Sequence, residues 1–159
     1  MNLVLDTSIL VHLVRDSALA KAVKAKYGFL NGGVMPFISE VSVGEIYSLS
    51  IQFKWGSFKL ELIDSLLIRL KPLPISYAEI MNTYALIDAY SQNRHPEMPI
   101  PPGTPARKMG KNDLWIAATT TVLDATLLTT DSDFEHLSPR FFQVENVVRP
   151  FPRATETSA

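Results

Sequence analysis

Short solid apolar runs and longer stretches with apolar residues three or four apart take turns along this chain. The first run, Asn2 to Leu5, is too short for a helix before the polar step Asp6-Thr7-Ser8 and predicts a buried strand. Thr7 or Ser8 then caps a helix from Ile9 to about Arg15. Leu19, Val23 and Tyr27, at i, i+4 and i+8, predict a helix over Ser17 to Tyr27, ended by Asn31-Gly32-Gly33. Val34 to Ile38 reads as a second strand, and Pro36 puts it at a strand end or sheet edge.

Ser42 with Glu45 three residues on forms a capping box opening a helix through Ile46, Leu49 and Phe53, broken at Trp55-Gly56. Phe58, Leu62, Leu66 and Leu70, spaced by four, predict the next helix. Pro72-Leu73-Pro74 makes a connection with room for a short strand. A second capping box, Ser76 with Glu79, starts a helix running to about Tyr90. From His95 to Lys111, five prolines and two glycines forbid a helix or central strand. Asp113 to Leu123 is helical, Thr126 to Thr130 a β-branched apolar strand, and Ser132 or Asp133 caps a short turn. Phe141 to Val148 is a last strand and Pro150 to Ala159 a loose tail. Strands alternating with helices mean an α/β fold with a largely parallel sheet.

With 159 residues, 47% apolar and 19% charged, the chain reads as one folded domain over residues 1–150 with a tail at 151–159. No apolar stretch approaches the roughly 18 to 20 residues of a membrane span, and Asp6 interrupts the first run too early for a secretory signal. Zero cysteines exclude disulfides and thiolate metal sites and fit a cytoplasmic setting. His12, His95 and His136 are too scattered to suggest a zinc site. A net charge of −1 means the whole molecule is no polycation that gathers nucleic acid by charge alone, so Arg107, Lys108 and Lys111 matter only as a local patch.

Two buried runs end in an acid, at Asp6 and at Asp131, and an isolated buried carboxylate is costly unless neutralised, paired or metal-bound. In an open parallel sheet both would lie on the rim where strands end, and Glu45 and Asp113, in the first turns of helices, can start near the same rim. Two carboxylates about 5 Å apart repel by roughly 3 kcal/mol at an effective dielectric near 20, so four together must take up protons or cations. Oxygen ligands without sulfur or imidazole favour Mg²⁺ or Mn²⁺, ions suited to phosphodiester hydrolysis. Each acid also has a plain structural reading: Glu45 completing its capping box, Asp113 favoured by a helix dipole, Asp131 capping a turn. Asp133 is a cap before Phe134 or a further ligand, and Trp115, Tyr84 and Tyr90 are packing residues.

LVLDTSIL, SVGEI, NDLWIAAT and LLTTDSDFEHL, in that order over residues 1 to about 148, resemble the PIN-domain ribonucleases, specifically VapC-like toxins of toxin–antitoxin pairs. The resemblance implies a three-layer α/β/α fold with a five-stranded, largely parallel sheet, and an acidic site for Mg²⁺ or Mn²⁺. By motif it assigns Asp6, Glu45, Asp113 and Asp131 to that site, with Thr7 and Thr129 as hydroxyls orienting water or ligand. It further implies cleavage of RNA, often transfer RNA, a homodimer, and a partner antitoxin whose tail occupies the acids. The chain departs from the family at 95–111, where members usually have a shorter connection; Arg107, Lys108 and Lys111 there are candidates to meet RNA phosphates. Two other readings stand beside this one. One is a non-catalytic PIN-like module that binds RNA or protein. The other is an aspartyl-phosphate phosphohydrolase using Asp6 as nucleophile, which the usual second Asp would support but Ser8 replaces.

Overall fold

A computed structural model describes residues 1–29 and 31–147, so the tail and Val148 lie outside the described residues. In chain order the elements are β1 (Asn2–Leu5), α1 (Thr7–Val14), α2 (Ala18–Tyr27), α3 (Glu40–Gln52), α4 (Ser57–Leu70), α5 (Ala78–Ser91), α6 (Lys111–Val122), β2 (Ala125–Thr129), a 3-10 helix (Ser132–Leu137) and β3 (Gln143–Asn146). The strands are parallel in the order β1-β2-β3, with Leu5 opposite Leu128 and Thr129 opposite Asn146.

Beyond β1 the sheet continues only as single bridges. Phe37 donates to Leu3 and accepts from Leu5, at 2.8 and 2.9 Å, and Leu73 does likewise with Ile38 and Glu40, at 2.9 and 3.0 Å. The expected strand over Val34–Ile38 is therefore one position paired with β1 in an extended segment. Pro72 and Pro74, on either side of Leu73, have no N–H to offer at the outer edge of the sheet. Among the described residues, the sheet is three regular strands continued beyond β1 by two short extended segments, five parallel positions side by side.

Alternation along the strands makes the three layers. Leu3, Leu5 and Leu128 point into one core with Ile9, Leu13, Ile46, Ile63 and Leu66, beneath α1 to α4. Val4, Ala125 and Leu127 point into the other, with Ile87, Leu114, Ile116 and Phe134, beneath α5 and α6. A strand buried on both faces reads as a solid apolar run, which is why β1 and β2 stand out in the sequence. Tyr84 and Trp115 stack at 4.2 Å between α5 and α6, as packing residues.

The helix starts differ from the capping pattern. α1 is capped by Asp6, not by Thr7 or Ser8, and without a side-chain bond. α3 begins two residues before Ser42 with Ser39 at its cap, and α5 begins with Tyr77 rather than Ser76 at its cap. Neither expected capping box forms. Burial of Ser42 inside α3 decides the first case, since its hydroxyl lies 3.0 Å from that of Thr7 on α1 rather than capping a backbone amide.

The proline-rich segment has no regular element but is fastened. Asn93 Oδ1 accepts from the Ile100 amide at 3.2 Å, and the Arg107 amide donates to the Ser91 carbonyl at 2.7 Å. Met109 is buried in the second core, and Met98 and Ile100 pack against its edge. Segment 93–110 is thus a strap laid from the end of α5 to the start of α6.

Candidate active site

Asp6 follows β1 directly, and Asp131 follows β2 by two residues; these are neighbouring parallel strands, so both acids reach the same rim. Asp6 is only 6% exposed. Its Oδ2 accepts from the Thr129 hydroxyl at 2.7 Å and from the Ser8 hydroxyl at 2.8 Å. Each hydroxyl in turn accepts a backbone amide, Thr129 from Asp131 at 2.9 Å and Ser8 from Thr130 at 3.2 Å. Those amides occupy lone pairs and leave each hydroxyl proton to aim at Asp6. One carboxylate oxygen is thereby fixed by donors, and the other carries none of these bonds.

Glu45 lies in the second turn of α3. Its Oε1 is 2.9 Å from the Thr7 hydroxyl, which is also 3.0 Å from Ser42 Oγ. Thr7 has a single proton, so donation to Glu45 leaves Ser42 to donate into Thr7. The chain Ser42–Thr7–Glu45 ties α1 to α3 and leaves Glu45 facing the rim rather than the start of its own helix. Asp131 does cap the 3-10 helix, accepting from the Asp133 amide at 2.9 Å, yet its charge still bears on the site. Asp133 is exposed and paired with Arg107, 3.3 Å away.

Electrostatics show the convergence most directly. Burial, and then the charges of Asp6, Asp131, Glu45 and Asp133, push the Asp113 carboxyl up to about 6. Burial also raises Asp6 despite the Thr129 and Ser8 hydroxyls and the Thr7 amide, which pull it back, and Asp131 adds to the rise. Among the described residues, none of Asp6, Glu45, Asp113 and Asp131 has a basic side chain in ion-pair contact. Nor do three acidic or histidine side chains there stand ready-made to chelate one ion. The carboxylates are near enough to disturb one another but not clasped together.

A sequence model of the PIN domain matches residues 3–138. This chain belongs to the PIN domain family. Its fold is similar to that of chains in several solved structures, among them a toxin–antitoxin complex from Klebsiella pneumoniae, with a TM-score of 0.62 and 18% identity over 91% of this chain and 97% of that one. A second is VapBC2 from Rickettsia felis bound to a promoter DNA fragment, with a TM-score of 0.70 and 20% identity over 91% of this chain and 98% of that one. A third is VapBC-1 from nontypeable Haemophilus influenzae, with TM-score 0.66, 21% identity and coverage of 92% and 98%. No curated protein matches the chain.

Within this PIN domain three supporting residues escaped the sequence reading. Ser8 looked like a helix cap, and Ser42 like half of a capping box; both instead orient the hydroxyl and carboxylate network. Gly110 is the third. It caps α6, and a Cβ built there would come within 3.1 Å of Asp113 Oδ2, so the absence of a side chain makes room for that carboxylate. Only a glycine next to a first-turn acid hinted at it. A cleft of about 460 Å³ opens beside Glu45, lined by Gly44, Ser48 and Gln52 of α3 and by Asn112 of α6.

Proposed function

We propose that this PIN domain is a metal-dependent endoribonuclease, the toxin of a toxin–antitoxin pair, with Asp6, Glu45, Asp113 and Asp131 holding Mg²⁺ or Mn²⁺. One observation carries the reading: Asp113 is pushed up to about 6 by burial and by carboxylates from β1, α3 and the end of β2, with no cation paired to any of these four acids among the described residues. An all-oxygen donor set of this kind fits a hard divalent cation. Such an ion, once bound, would polarise a phosphoryl oxygen and lower the pKa of an attacking water.

The protein's own part is positioning. Thr129 and Ser8 fix the face of Asp6, Thr7 fixes that of Glu45, and Gly110 admits Asp113. Asp133 stands outside the ligand set because Arg107 already engages it. Transfer RNA as the target, a homodimer, a cytoplasmic location and an antitoxin reaching the acids belong to the same reading; the antitoxin is supported by the likeness to a solved toxin–antitoxin complex. No helix among the described residues is long and apolar enough to cross a membrane.

The test is cleavage of single-stranded RNA by the purified protein with Mn²⁺, beside Asp6→Asn. Removing an outer-shell partner of a metal typically costs 10–100-fold, so loss of a ligand should lower cleavage by at least about 100-fold with the fold retained. Full Mn²⁺-dependent activity in Asp6→Asn would refute the assignment.

A further inference from the structure

The strap carries chemistry of its own. Gln92, Arg94, Ala106, Arg107 and Lys108 line one cleft of about 170 Å³ where the strap meets the end of α5. Its two walls are tied together by the Arg107 amide, which donates to the Ser91 carbonyl at 2.7 Å, and the Arg94 amide closes the end of α5 on the Ala89 carbonyl at 2.8 Å. Among the described residues, Arg94 and Lys108 have no carboxylate partner, and both are exposed. Arg107 uses Nη1 to reach both the Asp133 carbonyl and its carboxylate, each at 3.3 Å, and keeps the rest of its five-donor fork. Asp133 is one of the charges acting on Asp113, so this basic cleft adjoins the acidic rim.

Three cations beside a cluster of acids suit a ligand whose anionic groups repeat along a chain. One phosphate can meet the acids through their cation while a neighbouring one meets the guanidinium and ammonium groups directly. An acidic peptide long enough to reach the rim would set its own carboxylates against the acids there. We propose that the cleft of Gln92, Arg94, Arg107 and Lys108 takes a backbone phosphate of the RNA flanking the scissile bond. The assignment rests on the nuclease reading above and adds the place where the strand is gripped. Lys111, at the start of α6, does not line the cleft and is not part of the grip.

Each phosphate neutralised on a single strand contributes about 0.7 to the slope of log affinity against log salt. Arg94→Gln with Lys108→Gln removes two charges from exposed positions. The measurement is kcat/KM for a short single-stranded RNA at fixed Mn²⁺ across a salt series, with thermal melting to check the fold. The double variant should show lower kcat/KM at low salt and a slope shallower by roughly 0.7. Arg94→Lys with Lys108→Arg, which keeps the charge, should retain the native slope. If the unsubstituted protein cuts RNA and the Gln variant keeps its slope, the cleft is not a phosphate site and the nuclease reading survives. An unchanged slope joined to weaker binding of an acidic protein partner overturns the phosphate assignment in the same way. If the unsubstituted protein cuts no RNA with Mn²⁺, the nuclease reading fails and takes the cleft with it.

Discussion

Thr129 holds two bonds at once, donating to Asp6 Oδ2 at 2.7 Å and accepting the Asp131 amide at 2.9 Å, with no exposure to water. Thr129→Val keeps the shape and removes both. A buried group left unsatisfied costs about 1–3 kcal/mol, so the melting temperature should drop. Activity should fall by about 10–100-fold, the usual loss when an outer-shell partner is removed. Wild-type cleavage by a folded Thr129→Val protein would show that the hydroxyl does not orient Asp6. Asp113 supplies a pH test. Its carboxyl is raised to about 6 in the folded protein from an ordinary value near 3.8. The folded state therefore holds the proton more tightly, and the associated stability is full below pH 4 and lost as pH rises through about 6. In EDTA, Asp113→Asn should consequently gain stability relative to wild type at pH 7 but not at pH 4, as read by thermal melts. Cation binding needs the ionised form, so Mn²⁺ should bind more weakly as pH falls through about 6, read by titrating the metal into the apo protein at a series of pH values.

At the scale of elements, α6 is placed so that its first turn brings Asp113 back over Gly110, whose missing side chain leaves 3.1 Å between a built Cβ and Oδ2. Gly110→Ala needs no unusual backbone angle, since φ there is −61°. The Asp113 carboxylate must give by a few tenths of an ångström and the cap becomes a poorer one, so Mn²⁺ should bind more weakly and the melting temperature drop slightly, with the fold checked by circular dichroism. The elements themselves were largely legible, because β1 and β2 are buried on both faces and so appear as solid apolar runs. Helix starts were not. Ser42 and Glu45 have capping-box spacing, but Thr7, 35 residues from Ser42, lies 3.0 Å from its hydroxyl, and a local pattern carries no record of such a partner. The outer sheet was less legible too: the segments around Phe37 and Leu73 each pair at a single position, which an apolar run of strand length does not announce. The four acids could be picked out by their place beside strands and in early helical turns. Ser8, Ser42 and Gly110 could not, since their roles exist only once the chain has folded.

For the whole molecule, the acids come from opposite ends of the chain and meet only in the native state. A ligand that binds only the folded form stabilises it by RT ln(1 + [L]/Kd), about 2.7 kcal/mol at 100 times Kd. Saturating Mn²⁺ should thus raise the melting temperature of the wild-type protein clearly and that of Asp6→Asn little, by scanning calorimetry. An equal shift in both would place the ion elsewhere. The order of the sheet has a consequence for synthesis. The partner that β1 needs, Asn2 against Ala125 through Leu5 against Leu128, leaves the ribosome more than a hundred residues after β1 does. A nascent or truncated chain ending before β2 carries Asp6, Glu45 and Asp113 but lacks the strand beside β1, the Thr129 clasp and Asp131. Such a fragment should be inert, so a host that makes this protein meets its chemistry only once β2 and Asp131 have been synthesised.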